Sequence, residues 1–280
     1  MPSILKLPGT RISGVPVPPV DPRLTNGSLL LLDPTHPADP FTGSAVAGAT
    51  IPNIAKEQAL TLVGQPVQSA TIFDTTTAPG RAEVRKTSKG SLHFTSSVTN
   101  DVANERVGLQ MPQSLRDYLL ANTSHQYYLG VSATITRPTA YDGSVISSYA
   151  GIFRSTDFAG AVALAVATMA DGAAAGSPGS TSPNRLGFSA VATGNILLTT
   201  IGTTQLGLSA VQTSYIAATG PWAGTNALHR TPSFVLRSFY LEDLTVSGRT
   251  HAQVTALDQA ANESGTYGRW AGDTYTGPLS

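Results

Sequence analysis

The sequence contains no cysteine. Disulfides and thiolate-held metals are therefore excluded, and the fold must rest on packing, hydrogen bonds or association with other chains. Charge is scarce as well. Charged residues make up 12% of the chain, Lys+Arg 17 against Asp+Glu 17, for a formal net charge of zero. A neutral chain offers no field to attract nucleic acid or an anionic membrane, and little electrostatic resistance to self-association. Long apolar runs are missing too. The longest, AGAVALAVATMA (Ala159–Ala170), is mostly alanine and falls short of the ~20 residues that span a bilayer. The N-terminal MPSILKLPGTRISG lacks a secretory apolar core, because Pro8 and Gly9 interrupt it; no signal peptide and no membrane insertion are expected.

Motifs with a declared chemistry are also lacking. His36, His93, His125, His229 and His251 form no HExxH and no pair at metal-ligand spacing. No GxGxxG or GxxxxGK[ST] cradle for phosphate occurs, and GFSAV around Ser189 lacks the closing glycine of a nucleophile elbow. No cofactor is expected.

What is present is β text. Thr, Ser, Gly and Ala are abundant, a mixture suited to sheet surfaces and turns. Residues 1–26 form a Pro-rich lead, in which Pro16, Pro18, Pro19 and Pro22 fix φ and remove amide donors, so it cannot sit inside a sheet. It reads as an extended arm that either lies on its own domain or clasps a neighbouring subunit. From Gly27, SLLLL fits a strand buried on both faces, closed by Asp33-Pro34. AKEQALTLVG (55–64) is compatible with helix or strand. RAEVRKTS and SLHFTSSVT flank Lys89-Gly90, a hairpin turn. PQSLRDYLLAN (112–122) reads as a short helix with Leu115, Leu119 and Leu120 on one side. QYYLGVSATITRP (126–138) alternates, with Tyr127, Leu129, Val131, Ala133 and Ile135 on one face. DGAAAGSPGSTSPN (171–184) is a long loop within one domain. Many short strands and few helices point to an antiparallel β-sandwich.

Carboxylates and aromatics are the remaining candidates for chemistry. A glycosidase needs two carboxyl groups about 5–9.5 Å apart. Glu242 and Asp243 are strand neighbours at i and i+1, so their side chains point to opposite faces and cannot form that dyad. Asp101 and Glu105 would stand about 13 Å apart on an extended strand. With Asn104 they offer oxygen ligands for a cation, although a polar turn explains them as well. Trp222, in the loop TGPWAGTN, is the first candidate for stacking on a glycan. Trp270, near Tyr267 and Tyr275, is the second, with packing as its favoured role.

The C-terminal end carries a resemblance. Strand text runs from Phe234 to Val246, Ser247-Gly248-Arg249 turns, and Thr250 with Gln253 makes a T-x-x-Q capping box for a helix through about Ala261. Val254 and Leu257 would face the sheet. This ending, YLEDLTVSGRTHAQVTALD, resembles that of laminin-G-like, concanavalin-A-like jelly rolls, especially the version in tailed-bacteriophage virion proteins. GSLLLLDPTHP and RWAGDTYTGP add to the likeness. It implies an all-β fold, an antiparallel two-sheet jelly-roll sandwich over residues 27–261 with one or two short helices, preceded by the 1–26 arm and followed by a 262–280 tail. Members of the fold bind glycans, decorate particles or mediate subunit contacts. The E-x-D-x-E strand of the glucanase branch is absent, so that activity does not carry over. In this light Glu242 and Asp243 become structural residues, one near the helix or an Arg such as Arg237 or Arg249, the other in solvent.

The expected function is a non-enzymatic structural or attachment component of a phage particle (tail, baseplate, neck or capsid decoration). Its partners would be other virion proteins and further copies of itself, and its location the extracellular particle, after synthesis in the host cytoplasm. The alternative is a glycan-binding receptor-recognition module using Trp222 on a cell-surface glycan. A glycoside hydrolase or lyase ranks third.

Overall fold

The computed structural model describes residues 21–100, 102, 105–138, 146–153, 162–169, 184–188, 193–202, 213–219 and 232–280. In chain order the elements are β1 (Ser28–Leu32), β2 (Thr50–Pro52), α1 (Lys56–Val63), β3 (Ser69–Asp74), β4 (Ala82–Lys86), β5 (Leu92–Ser96), β6 (Val107–Gln110) and α2 (Gln113–Ala121). They continue with β7 (Tyr127–Arg137), β8 (Ile146–Phe153), β9 (Val162–Met169), β10 (Asn184–Phe188), β11 (Gly194–Gly202), β12 (Thr213–Thr219), β13 (Ser233–Asp243), α3 (Leu244–Ser247) and α4 (His251–Tyr267). The protein is thus predominantly β, with its strands in two sheets. The first has the order β11-β7-β13-β5-β4, with β1 paired to the far half of β13; the second has the order β10-β9-β8-β12-β6-β3-β2. Pairing is antiparallel except between β9 and β10.

One apolar core lies between the sheets. Leu129, Val131, Ala133 and Ile135 of β7 and Phe94 of β5 join Ile72 of β3 and Leu109 of β6 in a single cluster. The alternation read from QYYLGVSATITRP is therefore the core-facing row of β7. Phe94 and Phe234 stack with ring centroids 5.6 Å apart, an offset aromatic contact worth about 0.5–1.5 kcal/mol beyond the area it buries.

The other face of the first sheet is covered as well. There Tyr128 and Tyr240 meet Leu31, Ala55 and Val254 beneath α4 in a second, smaller cluster. Every residue of β1 and of β13 is buried, as expected of strands covered on both faces.

β13 does not alternate uniformly. Phe234 and Leu236 face the main core, then Phe239 and Leu241 do so, and the parity changes at a bulge between Leu236 and Ser238. The extra residue rotates the rest of the strand, so Tyr240 and Glu242 come to the α4 side. The strand also ends sooner than the run to Val246 suggested. Asp243 caps α3 by accepting from the Val246 amide at 3.1 Å. Gly248 then closes that turn with φ of 71°, a left-handed value that glycine takes without steric cost.

The capping box is present as read. Thr250 accepts from the Gln253 amide, and the Gln253 side chain accepts from the Thr250 amide at 2.8 Å. The helix behind it runs on to Tyr267, six residues beyond Ala261, and four helices occur among the described residues. Residues 55–64, which admitted either reading, form α1 with Gly64 in the left-handed conformation at its end. After α4 the chain turns back. A Cβ on Gly265 would lie 2.4 Å from the Trp270 ring, so only glycine lets that indole fold against the helix. Trp270 is buried, its indole N–H donating to Thr35 Oγ1 at 2.9 Å, so it is a packing anchor and not a stacking platform. Residues beyond it cross the first sheet, where the Leu279 amide donates to Thr95 Oγ1 at 2.8 Å.

Candidate functional site

The polar side chains gather where distant segments converge on the first sheet and α4. The acidic pair divides as strand geometry requires. Glu242 is fully buried and takes Arg249, whose Nε donates to Oε1 at 2.9 Å and whose second nitrogen pairs with Oε2. Tyr240 donates to the same carboxylate at 2.8 Å. Asp243, equally buried, does not reach solvent as expected. It accepts from His125 Nδ1 at 2.6 Å and from the Tyr118 hydroxyl at 2.7 Å, in addition to the α3 amide. The reason is the termination of β13 at Asp243, which places that carboxylate against α2 and the chain entering β7.

His125–Asp243 has the form of a base and its orienting carboxylate. Among the described residues no hydroxyl or thiol hydrogen-bonds to His125 Nε2, and Tyr118 competes for the same Asp243 oxygen. The arrangement holds α2, the chain entering β7 and the end of β13 together.

A second cluster had no counterpart in the sequence reading. Arg23, 1% exposed, lies at the end of the Pro-rich lead. Its guanidinium donates to Asp21 Oδ2 at 2.8 Å and to Asp258 Oδ1 at 3.0 Å. Asp258, on α4, also accepts from the Tyr128 hydroxyl at 2.7 Å. Residue 257 was expected to face the sheet, but Asp258 is the buried one and Leu257 is half-buried. Burial pushes the Asp258 carboxyl above the ordinary range, with Arg23 and Tyr128 drawing it partly back. Burial would also raise Asp21, but hydrogen bonds from His36 and Arg23 hold it well below that range. His36 approaches Asp21 with Nε2 at 3.3 Å and accepts from the Ala38 amide at Nδ1, which fixes the proton on Nε2. Above this cluster runs a groove of about 300 Å³, with Leu257, Ala260 and Ala261 of α4 on one side. Other ion pairs tie the end of the chain down: Arg269 to Asp33, and Arg237 to Asp273.

His93 sits on β5 under the chain's last residues, with Nε2 at 2.9 Å from Thr136 Oγ1 and its ring 5.1 Å from that of Tyr275. Burial, with Arg85 and Arg137 nearby, lowers its pKa from 6.5 to about 4. Between those values the unfolded chain binds a proton that the folded chain refuses. The His93 contribution is therefore whole above pH 6.5 and declines as pH falls towards 4. Relative to His93→Gln, the native chain should lose about 3 kcal/mol of stability between pH 7.5 and pH 4. Urea midpoints of both proteins across that range check this, and the comparison cancels the carboxylates that titrate in the same window.

Among the other candidates, Glu105 pairs with Arg81 and accepts from Thr77 at 2.5 Å, so the turn reading explains it. Asp101, Asn104, His229, Ser189 and Trp222 lie outside the described residues, as do Pro16, Pro18 and Pro19; Pro22 is described and exposed. Among the described residues no three His, Cys, Asp or Glu side chains gather to hold a metal ion, and no helix is long and apolar enough to cross a membrane. Compared with known protein families, with curated proteins and with solved structures, the chain finds no match in any of the three.

Proposed function

We propose that this protein is a non-enzymatic structural or attachment component of a bacteriophage particle, built on a jelly-roll β-sandwich of the concanavalin-A-like type. Its Pro-rich N-terminal segment contacts neighbouring subunits. The observation that carries the reading is where the carboxylates go. Asp21, Asp33, Glu242, Asp243, Asp258 and Asp273 are all drawn into ion pairs or hydrogen bonds that fasten chain ends and helices to the first sheet. Such a domain spends its polar groups on holding its own parts in place, which suits a rigid building block. The closing element, in which β13, Gly248 and the Thr250 box lead into α4, is also where the sequence resembles phage virion proteins. Near-zero net charge favours close association with like surfaces.

Sedimentation velocity on the full chain and on a chain lacking residues 1–20 tests the assembly claim. The deletion must stop there, because Arg23 is buried in the domain. The full chain is expected to self-associate at micromolar concentration and the shortened chain to do so less. A strict monomer, unchanged by the deletion, would overturn the reading. Mass spectrometry of purified particles from a phage encoding the chain tests the location directly: the protein should be present in stoichiometric amount.

A further inference from the structure

The groove over the Arg23 cluster has a chemistry that selects its occupant. One wall is α4, with Leu257, Ala260 and Ala261 at i, i+3 and i+4, and the other includes Pro22 and Pro37. The floor is charged but saturated. Asp21 Oδ1 accepts from the Arg23 amide and Nε, and Oδ2 from the Arg23 guanidinium and His36. His36 has both nitrogens engaged. The carboxylate and imidazole acceptors of the floor are thus taken, which leaves the exposed Ser264 hydroxyl as the lining side chain that can still accept. At the rim, Arg269 gives one nitrogen to Asp33 and has further N–H groups to offer. The groove therefore suits an uncharged, narrow, extended occupant with apolar side chains, free carbonyls and few N–H groups. Those are the properties of a proline-rich peptide, whose prolines carry no N–H and whose carbonyls point outward.

The chain contains such a segment. Val15-Pro16-Val17-Pro18-Pro19-Val20 is uncharged and immediately precedes Asp21, which itself lines the groove. We propose that the groove is the acceptor for residues 15–20 of a neighbouring copy. This rests on the assembly reading above and names its contact surface. The choice of a neighbour over the chain's own segment follows from stiffness. Prolines fix φ and bias the preceding residue to extended conformations, so six such residues favour a path of about 19 Å leading away from their own point of entry. Reversal onto the adjacent groove opposes that bias, whereas a second copy can supply the segment from outside.

Two full-length variants test this. Ala260→Glu places a charge on the exposed wall of α4 with a residue that favours helix. Val17→Asp puts a charge at the centre of the segment, among residues outside the described ones. Each should weaken self-association at least tenfold in sedimentation velocity, with melting temperatures close to native. Mixed in equal amounts they should recover part of the association, because one variant keeps an intact segment and the other an intact groove. Association of both variants at native strength overturns the inference while leaving the assembly reading standing. Loss in each variant with no recovery on mixing also overturns it, since a segment held by its own chain cannot complement. A native chain that stays monomeric overturns the assembly reading and the inference together.

Discussion

Replacing Arg23 with methionine is expected to lower the unfolding free energy by about 3–5 kcal/mol, a large share of the ~5–15 kcal/mol that a folded protein commands. Two buried carboxylates depend on this guanidinium. It bonds Asp21 through Nε and a terminal nitrogen and reaches Asp258 with the other. Methionine fills much the same volume but leaves Asp258 with only the Tyr128 hydroxyl, in a place where it is 2% exposed. Arg23→Lys should fall between, because one ammonium on a flexible stem cannot serve two carboxylates as a planar fork does. Adding Asp258→Leu to Arg23→Met should recover much of the loss, since an apolar pair does not leave Asp258 buried without its partner. Equilibrium denaturation in urea gives all three values. A loss under 1 kcal/mol for Arg23→Met would mean that the cluster stays hydrated and does not fasten the N-terminal segment to α4.

These buried ions also show where sequence reading stops. The β7 row and the Thr250 capping box were legible because each is a local rule: a period of two, and a pair three residues apart. The bulge in β13 was not. Strand-favouring residues stand on both sides of it, Phe234-Val235-Leu236 and Phe239-Tyr240-Leu241, and an extra residue leaves no mark in composition. The first turn of α3 was hidden for a related reason. Leu244-Thr245-Val246-Ser247 favours strand by residue type, and the buried Asp243 cap overrides that preference. On α4, the hydrophobic period chose Leu257 for the sheet. The structure buries Asp258 instead, because Arg23 arrives from more than two hundred residues away to neutralise it. No window of sequence contains both partners. The candidate site was harder still, since its groove is made by α4 facing the segment that enters β1, a juxtaposition that only the complete topology brings about.

The second large effect is expected at Asp243. Asp243→Ala should cost about 3–5 kcal/mol, because it takes a buried charged acceptor away from half-buried donors on three sides. The Tyr118 hydroxyl, the His125 ring and the Val246 amide each lose their acceptor, and α3 loses its cap. Asp243→Asn should cost roughly 1–2 kcal/mol. The amide oxygen can still accept from Val246, and both Tyr118 and His125 can turn from donor to acceptor towards the amide nitrogen. His125→Gln removes one partner at a partly exposed position, and should cost less than Asp243→Ala. This ordering, read from chemical denaturation, separates two roles for the pair. A carboxylate that orients a catalytic base would lose activity on any substrate in Asp243→Asn without much change in stability. A carboxylate that joins α2, β7 and α3 to the end of β13 loses stability in proportion to the hydrogen bonds removed. The geometry favours the second outcome, because Asp243 already accepts from α2, from the chain entering β7 and from α3.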